Sequence, residues 1–399
     1  VTIATHGLHR PPVEQAGLAF APVRPDLTDL GDLDDTMRRA MDLYGGSEFV
    51  LRQMVLAHVD ATAADMMEAC RGADLIVGHV VGLTAAPVAE ALGIPRVHVV
   101  LQPWAMFSVH DPGVVPGVPL LTWLGRVMPL GARHAGLAFA RRLTRPWFAP
   151  VDALRRRLGL PPAKHHPMLQ IWSPLLNLAL FSPRFGPPQP DWPANTVTTG
   201  FPEWVPEAGW DRELLEFLEA GEPPVVFTLG SSAVYAAGNF YDEAAKAAAK
   251  LGVRAVLLTG PDGRNALAKG RLNERVRAFA FAPHAKLFPR AAAIVHQGGI
   301  GTTARALASG RPMLVVPWSH DQPDNADRCL RLGVGRVLGR GHFRAARVER
   351  ELRALLADEA MRARAAALGA EIRAENGAET AAAAIESCLG GARAAVATR

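Results

Sequence analysis

Charge is scarce in this chain: Asp, Glu, Lys and Arg supply 20% of its 399 residues, against 49% hydrophobic ones. Such a composition can fill folded cores, and at roughly one domain per ~150 residues it suits two of them. Cysteine is scarcer still. Cys70, Cys329 and Cys388 stand far apart, which excludes a disulfide framework and offers no metal-ligand spacing, so a reduced, cytoplasmic protein is expected. No apolar run reaches the ~18 residues of a membrane span, and no signal peptide opens the chain. Spanning is excluded, while peripheral membrane contact stays open. The formal charge of +5 comes from arginines scattered through helical stretches rather than massed in one block, which argues against a nucleic-acid surface. No Asp-rich Mg²⁺ motif stands anywhere, so no metal and no cofactor are expected.

What is present concentrates between His296 and Asn325, HQGGIGTTARALASGRPMLVVPWSHDQPDN. A buried strand, Ala291 to Val295, runs into His296, a glycine turn and two threonines, and an alanine-rich helix follows. Gly298, Gly299 and Gly301 let backbone approach an anion closely, and the N–H groups that open the helix lack intrahelical partners and carry the positive end of its dipole. Thr302 and Thr303 add hydroxyls and His296 a ring N–H, which together make a pyrophosphate cradle. A glycine turn alone often only connects a strand to a helix. Here a second strand, Pro312 to Val316, ends in the polar loop Trp318 to Asn325. In an open α/β sheet both loops face one crevice beyond the carboxyl ends of the strands. Asp321 and Gln322 there offer the acceptor and donor pattern that neighbouring sugar hydroxyls require.

The rest of the chain alternates strand and helix. Val1 to Thr5, Gly17 to Pro22, Asp74 to His79 and Pro95 to Leu101 read as strands of a first domain, with Leu83 to Leu92 a helix. Between residues 104 and 170, Trp104, Phe107, Trp123, Met128, Phe139, Trp147 and Phe148 lie among prolines and arginine-rich helices, as core or as pocket wall. Phe185 to Pro206 is proline-rich and reads as linker. Strands at Pro224 to Leu229, Arg254 to Leu258 and Val276 to Phe281 open a second sheet, the first ending in the turn Gly230, Ser231, Ser232. The stretch Ala360 to Leu389 is helical by propensity. The expected division is residues 1–190, a linker at 191–210, a second domain at 211–375 and a last helix at 376–399.

HQGGIGTT, the Asp-Gln pair at 321 and 322, and APHAKLFPR (Ala282 to Arg290) resemble, in order and spacing, the family-1 glycosyltransferases. The resemblance covers most of the chain. It implies a GT-B fold, an α/β architecture of two facing Rossmann-like domains with mostly parallel sheets. LFSPRFGPPQPDWP (Leu180 to Pro193), VVLQP (Val99 to Pro103) and DQPDNADR (Asp321 to Arg328) are similar to the bacterial branch with sterol glucosyltransferases and glycolipid rhamnosyltransferases.

The resemblance further implies that Gly230, Ser231 and Ser232 lie against the donor phosphates, that Pro283 and His284 pack the nucleobase against backbone, and that the last helix crosses back to the first domain. Residues 104 to 170 would form the acceptor pocket. Plant members hold both ribose hydroxyls with a glutamate where this chain has Ala304, which leaves room for a deoxyribose donor. The expected activity is an inverting, metal-independent transfer of a hexose from UDP- or dTDP-sugar to a hydroxyl of a lipophilic or aromatic small molecule. The base should come from the first domain, with His79 as the in-chain candidate and His6 as its rival. The family's first strand, loop and helix, where its base resides, are expected to be missing before Val1. A nucleotide-sugar epimerase of similar fold, or a non-catalytic nucleotide-sugar binder, stays open as an alternative.

Overall fold

The computed structural model describes residues 1–203, 209–260, 263, 265–267, 270 and 272–397, with side chains through residue 390. Part of the expected linker, residues 204–208, lies outside the described residues. Twelve strands are found among them: β1 (Thr2–Thr5), β2 (Ala19–Pro22), β3 (Ile76–His79), β4 (Arg96–Val100), β5 (Leu176–Ala179), β6 (Thr196–Thr198), β7 (Val225–Thr228), β8 (Ala255–Leu258), β9 (Val276–Phe279), β10 (Ala293–His296), β11 (Met313–Val315) and β12 (Gly335–Val337). Every pairing between them is parallel. The α/β architecture read from sequence is the architecture found, with most strands a residue or two shorter than their apolar runs.

The second half forms a six-stranded sheet in the order β12-β11-β10-β7-β8-β9. Strands β7, β8, β10 and β11 are buried along their whole length, as parallel strands covered on both faces must be. On one face Phe227, Phe240, Trp318, Phe343 and Leu352 form the core beneath the helices Phe240–Leu251 and Ala345–Ala357. On the other, Val226, Ile294, Val315 and Leu307 pack beneath Ile300–Ser309 and Glu359–Arg373. These last two helices approach closely, since a Cβ on Gly369 would lie 2.6 Å from the Cα of Gly310.

The first half carries a four-stranded sheet, β3-β4-β5-β6, and a separate pair, β1-β2. Helix Val59–Ala69 packs against both strands of the pair and against Ala85–Leu92 beside the larger sheet. Strand β3 is an edge, and Val77 on it is 48% exposed. The alanine-rich stretch expected to be helical forms two helices, Glu359–Arg373 and Gly377–Ala397, the second within the range expected for the last helix. The break falls at Asn376, with φ of 46°, beside Glu375, which accepts a 2.6 Å hydrogen bond from Ser182 Oγ. Helical propensity yields there to a contact with the first domain. Beyond it Ala381, Ala384 and Ile385 lie on Val97, Leu176 and Leu178 of β4 and β5.

Further contacts join the halves. Ala40 and Met41, at the end of helix Leu33–Ala40, belong to the core of the second domain with Leu229 and Trp318. Arg328, on the helix Gln322–Arg331, donates to Asp324 at 2.7 Å and pairs with Asp111 of the first domain at 2.7 Å. Asp324 also accepts from the Val114 N–H at 3.0 Å. Asp324 is 0% and Arg328 2% exposed, so each charge depends on the other for its solvation. Arg328→Ala would leave Asp324 buried and unpaired, and is expected to cost about 3–5 kcal/mol. Urea unfolding of the two proteins measures this, and a loss under ~1 kcal/mol would contradict it.

Candidate active site

From β7 the chain runs one way to β8 and β9, and from β10 the other way to β11 and β12. The switch point, where a crevice opens beyond the carboxyl ends, therefore lies between β7 and β10. Two loops meet there. Gly230, after β7, has φ of 64°, and a Cβ on it would lie 2.4 Å from Gln297 Nε2 and 3.3 Å from Thr302 Oγ1. After β10, Gly298 turns with φ of 87°, and Gly299 caps the helix Ile300–Ser309. Thr303 donates its hydroxyl to Gly299 O at 3.0 Å, which turns it inward and leaves Thr302 beside Gly230. Ser231 is exposed and Ser232 half-buried on the facing loop, while Gly301 stands open in the first helical turn. A cavity of about 390 Å³ runs along this helix from Ile300 to Ala308, beside the two loops rather than between them. Ile300, Gly301 and Ala304 line one side, and Leu101 and Leu180, just past β4 and β5, line the other.

The loop after β11 is tied to the same helix end. Asn325 Nδ2 donates to Gly298 O at 2.8 Å and to Asp321 Oδ2 at 2.6 Å, and the Ile300 N–H also supports the Asp321 carboxylate. Burial nevertheless dominates and pushes Asp321 up to about 6. Such a displaced carboxyl, held by two neighbouring elements, makes Asp321 a candidate site residue. The first domain clasps this loop. Ser319 Oγ donates to Asp42 O at 2.7 Å, and Ser47 Oγ lies 3.0 Å from Nδ1 of His320, whose φ is 57°.

Several expectations are revised by this geometry. The His296 ring was expected to offer its N–H to an anion. It is instead fully buried, with Nδ1 accepting from the Gly298 N–H at 3.1 Å and Nε2 facing Met313 Sδ at 3.4 Å. Burial, then His284, hold it down to about 3, so it is a neutral group that shapes the glycine turn. Gln322 was expected to present both ends of its amide to hydroxyls. Its Oε1 accepts from the Trp318 N–H at 2.9 Å and the Ser319 N–H at 3.3 Å, and Nε2 faces Met41 Sδ at 4.0 Å. An amide that closes its own loop is not free for a ligand. Pro283 is buried and His284 stacks on Phe288, centroids 4.4 Å apart, so this turn presents its backbone.

In the first domain His79 ends β3 with its Nε2 buried and without a partner, and burial lowers its pKa. His6 is similar at Nδ1, its pKa lowered by burial and then by His9, whose ring lies 4.4 Å away. Among the described residues no hydrogen bond joins either side chain to the cradle loops. The aromatics of 104–170 do not form one wall. Phe148 is core at 1% exposed, Trp104 donates to Val114 O at 3.0 Å, and Trp147 is half-buried under Arg52. Trp123, Met128 and Phe139 face outward at 58%, 39% and 66%.

Two residues at the crevice, and one at the carboxyl end of the outer strand β9, escaped the sequence reading. Gln297 is 6% exposed with Oε1 unpartnered, and Asn325 Oδ1 is likewise buried and unpartnered. Orphaned acceptors of this kind call for an explanation, and a ligand supplies one. Phe281, just past β9, leaves its ring 61% exposed. Its position between an apolar strand and Pro283 was the available signal, since an aromatic ring at a strand's carboxyl end has no core to enter.

The family described as erythromycin biosynthesis protein CIII-like, C-terminal domain, matches residues 248–387. The O-mycaminosyltylonolide 6-deoxyallosyltransferase of Streptomyces fradiae is 33% identical over 396 residues, covering 94% of this chain and 88% of that protein. A sterol 3-beta-glucosyltransferase of Neurospora crassa is 28% identical over 417 residues, covering 98% of this chain but 25% of that longer protein. Among solved structures, the glycosyltransferase of kitacinnamycin superposes with a TM-score of 0.71 at 23% identity, covering 98% and 91% of the two chains.

Two expected outcomes follow from the crevice. Gly298→Ala forces a left-handed residue and puts a Cβ 2.8 Å from Val315 Cγ1 and 3.0 Å from Gln322 O. Calorimetric titration with thymidine diphosphate should show at least a roughly tenfold weaker affinity, whereas unchanged affinity would remove the turn from the site. The second concerns Asp321. Its folded pKa is raised from 3.8 to about 6, so the folded state holds the proton more tightly than the unfolded chain. The group's contribution is most favourable below the unfolded value and is lost as pH climbs to about 6, an effect of the order of 3 kcal/mol at most. Asp321→Asn should therefore raise Tm at about pH 8 and change it little at about pH 4. Equal shifts at both would exclude ionisation as the cause.

Proposed function

Starting from a chain that belongs to the family-1 glycosyltransferases, we propose an inverting, metal-independent transfer of a hexose from UDP- or dTDP-sugar to a hydroxyl of a lipophilic small molecule. The observation that carries this reading is the tie between the glycine turn and a displaced carboxylate: Asn325 donates to both Gly298 O and Asp321. Diphosphate bound at the opening of helix Ile300–Ser309 would bring the attached hexose toward Asp321. That carboxylate accepts from hexose hydroxyls, while Gln322 keeps its loop in shape. The nucleobase stacks on the exposed ring of Phe281, an apolar platform at the same sheet edge. Ala304 lines the cavity where a ribose-binding carboxylate would stand, which favours thymidine diphosphate over uridine diphosphate. The Streptomyces fradiae relative, named for O-mycaminosyltylonolide, points to a natural-product hydroxyl as acceptor.

In the transfer, the acceptor O–H loses its proton to a base as its oxygen bonds to the anomeric carbon. The bond from that carbon to the phosphate oxygen breaks with its electron pair, and the nucleoside diphosphate leaves. Charge building on the leaving phosphate meets the first-turn N–H groups and Thr302, fixed donors that need no reorganisation. His296 adds no charge, being neutral. His79 is the proposed base: burial keeps it unprotonated near neutrality, and its Nε2 has no partner of its own. A base with these properties contributes roughly 10²–10⁴-fold to such a step.

Nucleotide release from dTDP-sugar should accordingly depend on an added alcohol acceptor. Release without acceptor would favour an epimerase-type elimination, and tight binding without turnover a non-catalytic binder. His79→Gln should lower kcat by about 10²–10⁴ with nucleotide affinity unchanged; full activity in that variant assigns the base elsewhere.

A further inference from the structure

The two helices Pro119–Val127 and Leu130–Thr144 contain no buried residue. They turn outward Leu120, Leu121, Trp123, Val127, Phe139 and Leu143, each more than half exposed. A run of apolar side chains this dense on one segment exceeds the scatter normal for a folded surface. Its charge is of one sign. Between Asp111 and Asp152 the sequence holds no Asp or Glu, while Arg126, Arg133, Arg141, Arg142 and Arg145 all fall there.

Some of these arginines are already engaged. Arg126 pairs with Asp327 at 2.6 Å, and Arg133 fixes the junction of the two helices by donating to the carbonyls of Met128 and Arg126 at 2.7 and 2.6 Å. Among the described residues, neither Arg141 nor Arg142 is in an ion pair. They line a cavity of about 610 Å³ at the end of the second helix, together with Arg145 and His166. Asp152, its single acidic lining residue, is taken by Arg145 in two bonds of 2.6 and 3.0 Å. His166 Nδ1 accepts from the Met168 N–H, and Nε2 is buried without a partner. His166 is therefore part of the cavity wall, packed edge-on against Phe148, and Arg141 and Arg142 are the lining cations left without a carboxylate.

We propose that these two helices bind the surface of an anionic phospholipid bilayer, their apolar side chains entering the acyl boundary while a headgroup phosphate sits between Arg141 and Arg142. Outward-facing Trp, Phe and Leu with arginines on the same helices suit interfacial binding, and no helix among the described residues is long and apolar enough to cross a membrane. A second copy of the chain fits this face less well, because a two-fold contact would set the same arginines against one another. The bilayer would hold the enzyme beside lipophilic acceptors, but the binding stands on this surface alone and not on the reading of the transfer site.

The test is cosedimentation of the full chain with vesicles of phosphatidylglycerol in phosphatidylcholine, and with pure phosphatidylcholine. Binding should require the anionic lipid and weaken with added salt. Replacing Arg141→Gln and Arg142→Gln should reduce it roughly fivefold per charge, and the pair Trp123→Ser and Phe139→Ser should reduce it further at unchanged Tm, since both side chains are exposed. Absence of binding, equal binding to both vesicle types, or insensitivity to both variant pairs overturns the proposal. So does light scattering that finds a dimer which Trp123→Ser dissociates, since the face would then belong to a second copy.

Discussion

The open end of helix Ile300–Ser309 is the constraint on which the rest of the site depends. Its first N–H groups have no partners within the helix, and its glycine turn brings the backbone of two loops into contact across the sheet's switch point. One side chain, the Asp321 carboxylate, takes the Ile300 N–H, and capping the rest in the same way would close the end to ligand. The glycine turn before it is held by groups that are fixed elsewhere: His296 props the Gly298 turn from beneath, and Asn325 braces Gly298 O from the side. The cost appears on Asp321, a carboxyl drawn toward that end yet desolvated enough to titrate near 6.

The loop that carries Asp321 is shared between the two domains. Its backbone is closed by Gln322, its Ser319 and His320 meet Asp42 and Ser47 of the first domain, and the helix that follows is locked to Asp111 through Arg328. A sugar bound at Asp321 would therefore feel both domains at once. Coupling donor position to the approach of the acceptor domain needs no further device, because left-handed His320 and buried Arg328 each lose a partner if the domains part.

Periodicity and turn chemistry made the frame legible. Val225 to Thr228, Ala255 to Leu258 and Ala293 to His296 are apolar on both faces, which only a doubly covered parallel sheet accommodates. Glycines at 230, 298 and 299 marked where backbone had to turn sharply or approach closely. The roles of individual polar side chains were less legible, because a histidine or glutamine carries the same donors whether it faces a ligand or its own loop. His296 and Gln322 read as ligand contacts and proved to hold the turn and the loop. Gln297, between a histidine and two glycines, carried no signal of its own and lies against Gly230. The aromatics at 123 and 139 had the residue types of a pocket and stand in solvent.

By itself, then, the sequence determined the α/β class, the parallel strands, the glycine turns and the kinship to sugar-transferring enzymes, since each of these depends on residue type and spacing along the chain. Only the tertiary structure decided which groups remain free for a ligand. Hydrogen-bond satisfaction and desolvation are set by neighbours far apart in sequence, as when Met41 meets Gln322, Asp111 meets Arg328, and burial beside the opening of helix Ile300–Ser309 shifts Asp321.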